Sequence, residues 1–148
     1  MHNWFFVKVS YEKTLENGMQ KKVTEPYLVD ALSFTEAEAR IIEELRPFIS
    51  GEFQVTGINR AHYAEVFTAD DGNHWYKVRL RYFTLDEKTG VEKQTPARML
   101  VQASTLEEAL ANFTRGMKGT LSDYALVGIE ETPIEDVYPY EAGEGGRP

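Results

Sequence analysis

The stretch Asn3-Trp4-Phe5-Phe6-Val7-Lys8-Val9-Ser10-Tyr11 returns seventy-one positions later as His74-Trp75-Tyr76-Lys77-Val78-Arg79-Leu80-Arg81-Tyr82. Working outward, one inserted residue (Thr89) moves the offset to 72. At that spacing Gly18 meets Gly90, Tyr27-Leu28-Val29-Asp30-Ala31 meets Met99-Leu100-Val101-Gln102-Ala103, and Phe34–Ala39 meets Leu106–Ala111. Near the end the offset returns to 71, where Gly57-Ile58 falls on Gly128-Ile129 and Val66-Phe67 on Val137-Tyr138. Self-similarity on this scale is read before anything else, because missing it misassigns the fold. The expectation is a tandem duplication, with copies over 1–67 and 74–138, a short linker over 68–73 and a flexible tail over 139–148.

Each copy reads strand, hairpin loop, strand, helix, strand. Phe5, Val7, Val9 and Tyr11 alternate on one face, the pattern of a half-buried strand. Asn17-Gly18 and the Asp86–Gly90 loop suit hairpin turns, since Gly accepts positive φ. Ser33-Phe34-Thr35-Glu36 and Thr105-Leu106-Glu107-Glu108 both fit a capping box opening a helix. Phe34, Ala37, Ile41, Leu45 and Phe48 then form one apolar stripe, as do Leu106, Ala109, Phe113 and Met117. Pro47 closes the first helix, and Gly116 and Gly119 the second. Third strands follow around Phe53–Arg60 and Tyr124–Glu131, and Gly57 and Gly128 mark a bulge or a close backbone approach. The expected fold class is α+β: two pseudo-symmetric strand-strand-helix-strand halves sharing a core, one compact domain overall.

Composition bounds the chemistry. The chain has 148 residues, is 42% hydrophobic and 27% charged, and has no cysteine. This is a globular composition, without disulfides, thiolate metal sites or cysteine nucleophiles. No apolar run approaches a membrane span and no signal segment stands at the N-terminus, so the cytoplasm is the expected compartment. The net charge is −8, which disfavours general affinity for phosphate backbones. The distribution is uneven: residues 75–100 carry six basic groups (Lys77, Arg79, Arg81, Lys88, Lys93, Arg98) against three acidic ones (Asp86, Glu87, Glu92).

Three stretches carry a resemblance: Met1-His2-Asn3-Trp4-Phe5, Lys22-Val23-Thr24-Glu25-Pro26-Tyr27-Leu28-Val29-Asp30-Ala31-Leu32-Ser33-Phe34-Thr35-Glu36-Ala37-Glu38, and the repeated Trp-led strands. Over nearly its whole length the chain resembles the family catalogued as domain of unknown function 4494, found in Bacteroidota and their phages. The resemblance implies an intracellular bacterial or phage protein and brings no activity, cofactor or catalytic residue.

The search for chemistry finds no phosphate-binding loop, nucleophile elbow or dinucleotide fingerprint, and His2, His62 and His74 lack the spacing of paired ligands. No catalytic residue, metal site or cofactor is assigned. One surface stands out. If Tyr76, Val78, Leu80 and Tyr82 face the core, then Trp75, Lys77, Arg79, Arg81 and Phe83 share the opposite face, and Trp4, Phe6 and Lys8 line its counterpart. The expected function is a small non-enzymatic binding or adaptor protein that uses these residues to contact an acidic protein partner. The alternative on the same face is single-stranded nucleic acid or a nucleotide, because rings stack bases and cations track phosphates. A third reading is an enzyme with its site at the junction of the halves. Oligomeric state stays open.

Overall fold

The computed structural model describes residues 2–139; apart from Pro139, the tail expected over 139–148 lies outside them. The chain runs β1 (Trp4–Thr14), β2 (Gln20–Asp30), α1 (Phe34–Leu45), β3 (Phe53–Arg60), β4 (Glu65–Phe67), β5 (His74–Leu85), β6 (Glu92–Ala103), α2 (Leu106–Gly116), β7 (Asp123–Thr132) and β8 (Asp136–Tyr138). This is a mixed α+β architecture with two four-stranded sheets. The first unit is built from residues up to Ala61 together with those from Pro133 onward; the second is His62–Thr132.

In the first unit the sheet order is β3-β1-β2-β8. β1 pairs antiparallel with β2 and β3, while β8 lies parallel to β2, with Tyr27, Leu28 and Val29 opposite Asp136, Val137 and Tyr138. α1 covers one face. Ala37, Ile41 and Leu45 pack with Phe5, Val7, Val9, Tyr27 and Val29, each fully buried aliphatic or aromatic side chain contributing roughly 1.5–3 kcal/mol of transfer free energy. Ser33 caps α1: its Oγ accepts from Glu36 N at 3.1 Å, and Glu36 reaches back to accept from Leu32 N at 2.6 Å. The Arg40 guanidinium ties the helix to the sheet by donating to Asp30 O.

The second unit has order β4-β6-β5-β7. β5 pairs antiparallel with β6 and β7, and β4 lies parallel to β6, with Glu65, Val66 and Phe67 opposite Met99, Leu100 and Val101. Val78, Leu80, Met99 and Val101 pack with Phe113 and Met117 of the α2 region. The capping box recurs, with Glu108 N donating to Thr105 Oγ1 at 3.1 Å and Ser104 N to Glu108 Oε1 at 3.1 Å. Asn112 takes the place of Arg40, donating from Nδ2 to Gln102 O at 2.9 Å. The Gln102 side chain accepts from Ala69 N (3.0 Å) and donates to Gly72 O (2.9 Å), fixing the 69–72 segment beside the sheet. A Cβ on Gly72 would stand 2.7 Å from Ala103 N, so only glycine fits there.

Several expectations are corrected. Phe34 and Leu106, expected on the buried helix stripes, are 46% and 51% exposed, and Phe48 is 77% exposed. Phe34 and Leu106 each open a helix, and Phe34 meets the buried Phe5 ring edge-on, 5.0 Å between centroids, while leaving the rest of its ring in solvent. Phe48 lies beyond the end of α1 at Leu45, where Arg46 forms the C-cap and Pro47 stops propagation. The strand-strand-helix-strand pattern also omitted β4 and β8. Gly57 and Gly128 do mark bulges. The β1–β3 register slips between Lys8 and Val9, and the β5–β7 register between Arg79 and Leu80. Among the described residues no helix is long and apolar enough to cross a membrane.

Candidate functional site

The strand alternation that buries Val78 and Leu80 against α2 turns Lys77, Arg79 and Arg81 to the opposite face of the second sheet. The hairpin register sets Arg98 of β6 directly opposite Arg79, with Pro96 opposite Arg81. β7 contributes Glu130 opposite Lys77 and Gly128 opposite Arg79. A cavity of about 490 Å³ opens on this face, where His62, Arg79, Arg81 and Arg98 surround the apolar surface of Leu80, Pro96, Ala97 and Val127. Val127 is the extra residue of the bulge, since Arg79 pairs Gly128 while Leu80 pairs Leu126.

The three guanidiniums are held by different means. Arg79 Nε lies 3.4 Å from Glu130 Oε1, an oxygen that also faces Lys77 Nζ at 3.5 Å. Arg81 donates from Nη1 to Gln94 Oε1 at 3.0 Å. Arg98 sits over the Tyr63 ring, 5.8 Å from its centroid, a cation–π contact that orients the group without neutralising it. Gly128 makes room for Arg79, because a Cβ there would come within 2.6 Å of the Nη2 atom. No carboxylate is among the residues lining the cavity, although acidic residues outnumber basic ones in the chain.

The expected site residues separate into two groups. Lys77, Arg79 and Arg81 stand together as the alternation required, with Arg79 and Arg81 exposed and Lys77 half-buried. Trp4 and Trp75 are 3% and 4% exposed, so neither indole is available as a stacking platform, contrary to expectation. An indole left in water forfeits a large apolar burial, and Trp4 in addition stacks on His2 at 4.9 Å. Phe6 and Phe83 are half-buried. Lys8 is exposed opposite Gly57. It has no arginine neighbours of its own, because Ser10 and Pro26 stand where the second unit has Arg81 and Arg98. Ser10 instead shares a 2.8 Å hydrogen bond with Thr24.

Arg98 and His62 were missed as site residues. Arg98 could have been found by closing the hairpin about Asp86–Gly90, which sets position 98 against 79. His62 lies outside any periodic element and gave no signal.

The first unit carries a second polar cluster, in which Glu25 Oε1 accepts from Tyr11 OH at 3.0 Å and from Tyr27 OH at 3.1 Å. Burial first, then the Glu25 carboxylate, pushes the Tyr11 phenol up to about 12 and raises that of Tyr27 further. Among the described residues no three His, Asp or Glu side chains gather as a metal site requires.

The face therefore gathers arginines from adjacent strands around a partly apolar opening. The chain belongs to the family described as Domain of unknown function (DUF4494), whose model matches residues 3–140. No curated protein matches it.

Proposed function

We propose that this protein is a small non-enzymatic binding protein that engages an acidic partner through the arginine face of its second unit, with an acidic protein surface as the leading occupant. The observation that carries the reading is the direct opposition of Arg79 and Arg98 on adjacent strands. Like charges placed directly opposite destabilise a sheet, and the one carboxylate beside Arg79, Glu130, is shared with Lys77, so a ligand that supplies further negative charge explains the pair. The reading of a single-stranded polymer loses its support with the burial of Trp4 and Trp75.

In this reading the copies over 1–67 and 74–138 descend from one duplicated β-β-α-β-β segment. The repeated capping boxes, the bulges at Lys8 and Arg79, and the matching parallel pairings of β4 with β6 and β8 with β2 all support it. The second copy has gained the arginines, and the first has kept a lone lysine at the equivalent place. The setting we propose is the cytoplasm of a Bacteroidota cell or one infected by phage.

The test is capture from host lysate after nuclease treatment, with wild type and R79E/R98E side by side. A protein held by wild type and lost by the reversed-charge variant is the expected result. Loss of all partners on nuclease treatment would overturn the reading in favour of nucleic acid.

A further inference from the structure

We infer that the cavity within this face is a receptor for a small phosphomonoester carried on a compact apolar body. The inference rests on the reading of the face as an anion site and specifies the anion.

Charge and shape lead to it. Arg79, Arg81 and Arg98 bring three permanent cations to one opening. Glu130 offsets part of that charge, but its Oε1 is divided between Lys77 and Arg79. The partners of the other two, Gln94 and Tyr63, are uncharged. A monoanionic carboxylate leaves such a set under-neutralised, whereas a phosphoryl dianion offers about two charges and three acceptor oxygens to the forked donors that guanidinium provides. His62 also lines the opening.

Pro96, Ala97 and Val127 add hydrocarbon to the lining beside the arginines, which suits an apolar body on the ligand. The volume, about 490 Å³, lies in the range of small-molecule sites. It suits a phosphate and one ring-sized group better than a chain of phosphodiesters, each link of which carries one charge and needs a track of cations. The bulge contributes directly: it adds Val127 to the wall and places Gly128 under the Arg79 guanidinium, so backbone irregularity and cation placement arise from one local feature.

The experiment is calorimetric titration of the full chain with phenyl phosphate, benzoate, inorganic phosphate and a short oligothymidylate, on wild type, Arg98→Gln and Arg81→Gln. Phenyl phosphate should bind at least tenfold more tightly than benzoate or inorganic phosphate, and each variant should lose at least tenfold of that affinity. Benzoate binding as tightly as phenyl phosphate would overturn the inference while leaving the acidic-partner reading intact. Failure of every anion to bind would overturn both. Oligothymidylate binding more tightly than phenyl phosphate would overturn it in favour of a polymer.

Thermal unfolding separates a receptor from a structural role. Without ligand, Arg98→Gln should melt no lower than wild type, since it removes a like-charge pair, and phenyl phosphate should raise the wild-type midpoint alone. A markedly lower midpoint for Arg98→Gln would show that the arginine serves stability, and the inference would fall.

Discussion

Gly72 and Gly128 lack side chains for opposite reasons, and the same substitution separates them. At Gly72 an added methyl meets the Ala103 backbone at 2.7 Å, an obstacle that cannot move without disturbing β6. Gly72→Ala should therefore cost about 1–3 kcal/mol, the range for overpacking, read as a lower denaturation midpoint. At Gly128 the methyl meets only the tip of the Arg79 side chain, which can swing aside. Gly128→Ala should leave stability within about 0.5 kcal/mol and weaken phenyl phosphate binding. Equal destabilisation by both would show that the Arg79 tip is not free to yield. The phenol of Tyr11 makes a pH prediction at the same scale. Its folded pKa, about 12, lies above the ordinary value of 10. A raised value contributes stability that is complete below pH 10 and is lost as the pH climbs from 10 through 12. Alkaline unfolding followed by ultraviolet absorbance should show that loss, and Tyr11→Phe should flatten it.

The helices begin where local chemistry says they must. Ser33 and Thr105 each satisfy an otherwise unpaired helix N–H, so Ser33→Ala and Thr105→Ala should each cost about 1 kcal/mol in chemical denaturation. These boxes, the long hairpins and the bulge-marking glycines were legible in the sequence because each depends on residues a few positions apart. β4 and β8 were not, since a three-residue strand has too few alternations to declare itself and its parallel partner lies tens of residues away. Their trace was present all the same, in the match of Val66-Phe67 to Val137-Tyr138. The site was legible by halves. Alternation put Lys77, Arg79 and Arg81 on one face, but period two cannot say which face is wet. Trp4 and Trp75 therefore passed as exposed when they are buried. Arg98 needed the hairpin register rather than the strand pattern.

For the whole molecule, the order of elements along the chain differs from the order in which the sheets are built. β4, which follows β3 directly, belongs to the second sheet, and β8, which follows β7, belongs to the first. Truncation after Thr132 removes β8 and with it Val137, which is 7% exposed. It should strip hydrogen-exchange protection from the amides of Leu28–Asp30 in β2, more than from β5 and β6. Uniform loss across both sheets, or none, would contradict the pairing.

The parallel contact between β8 and β2 also sets a schedule for synthesis. A ribosome delivers β1, β2, α1 and β3 well before β8, so the edge that β8 covers stays open until residue 138 has left the exit tunnel. The first sheet is thus begun before α1 and closed only after β7, and a nascent fragment that stops short of β8 leaves that edge of β2 unpaired. Such edges recruit other strands, so fragments that stop before Asp136 should aggregate more readily than the chain that carries β8.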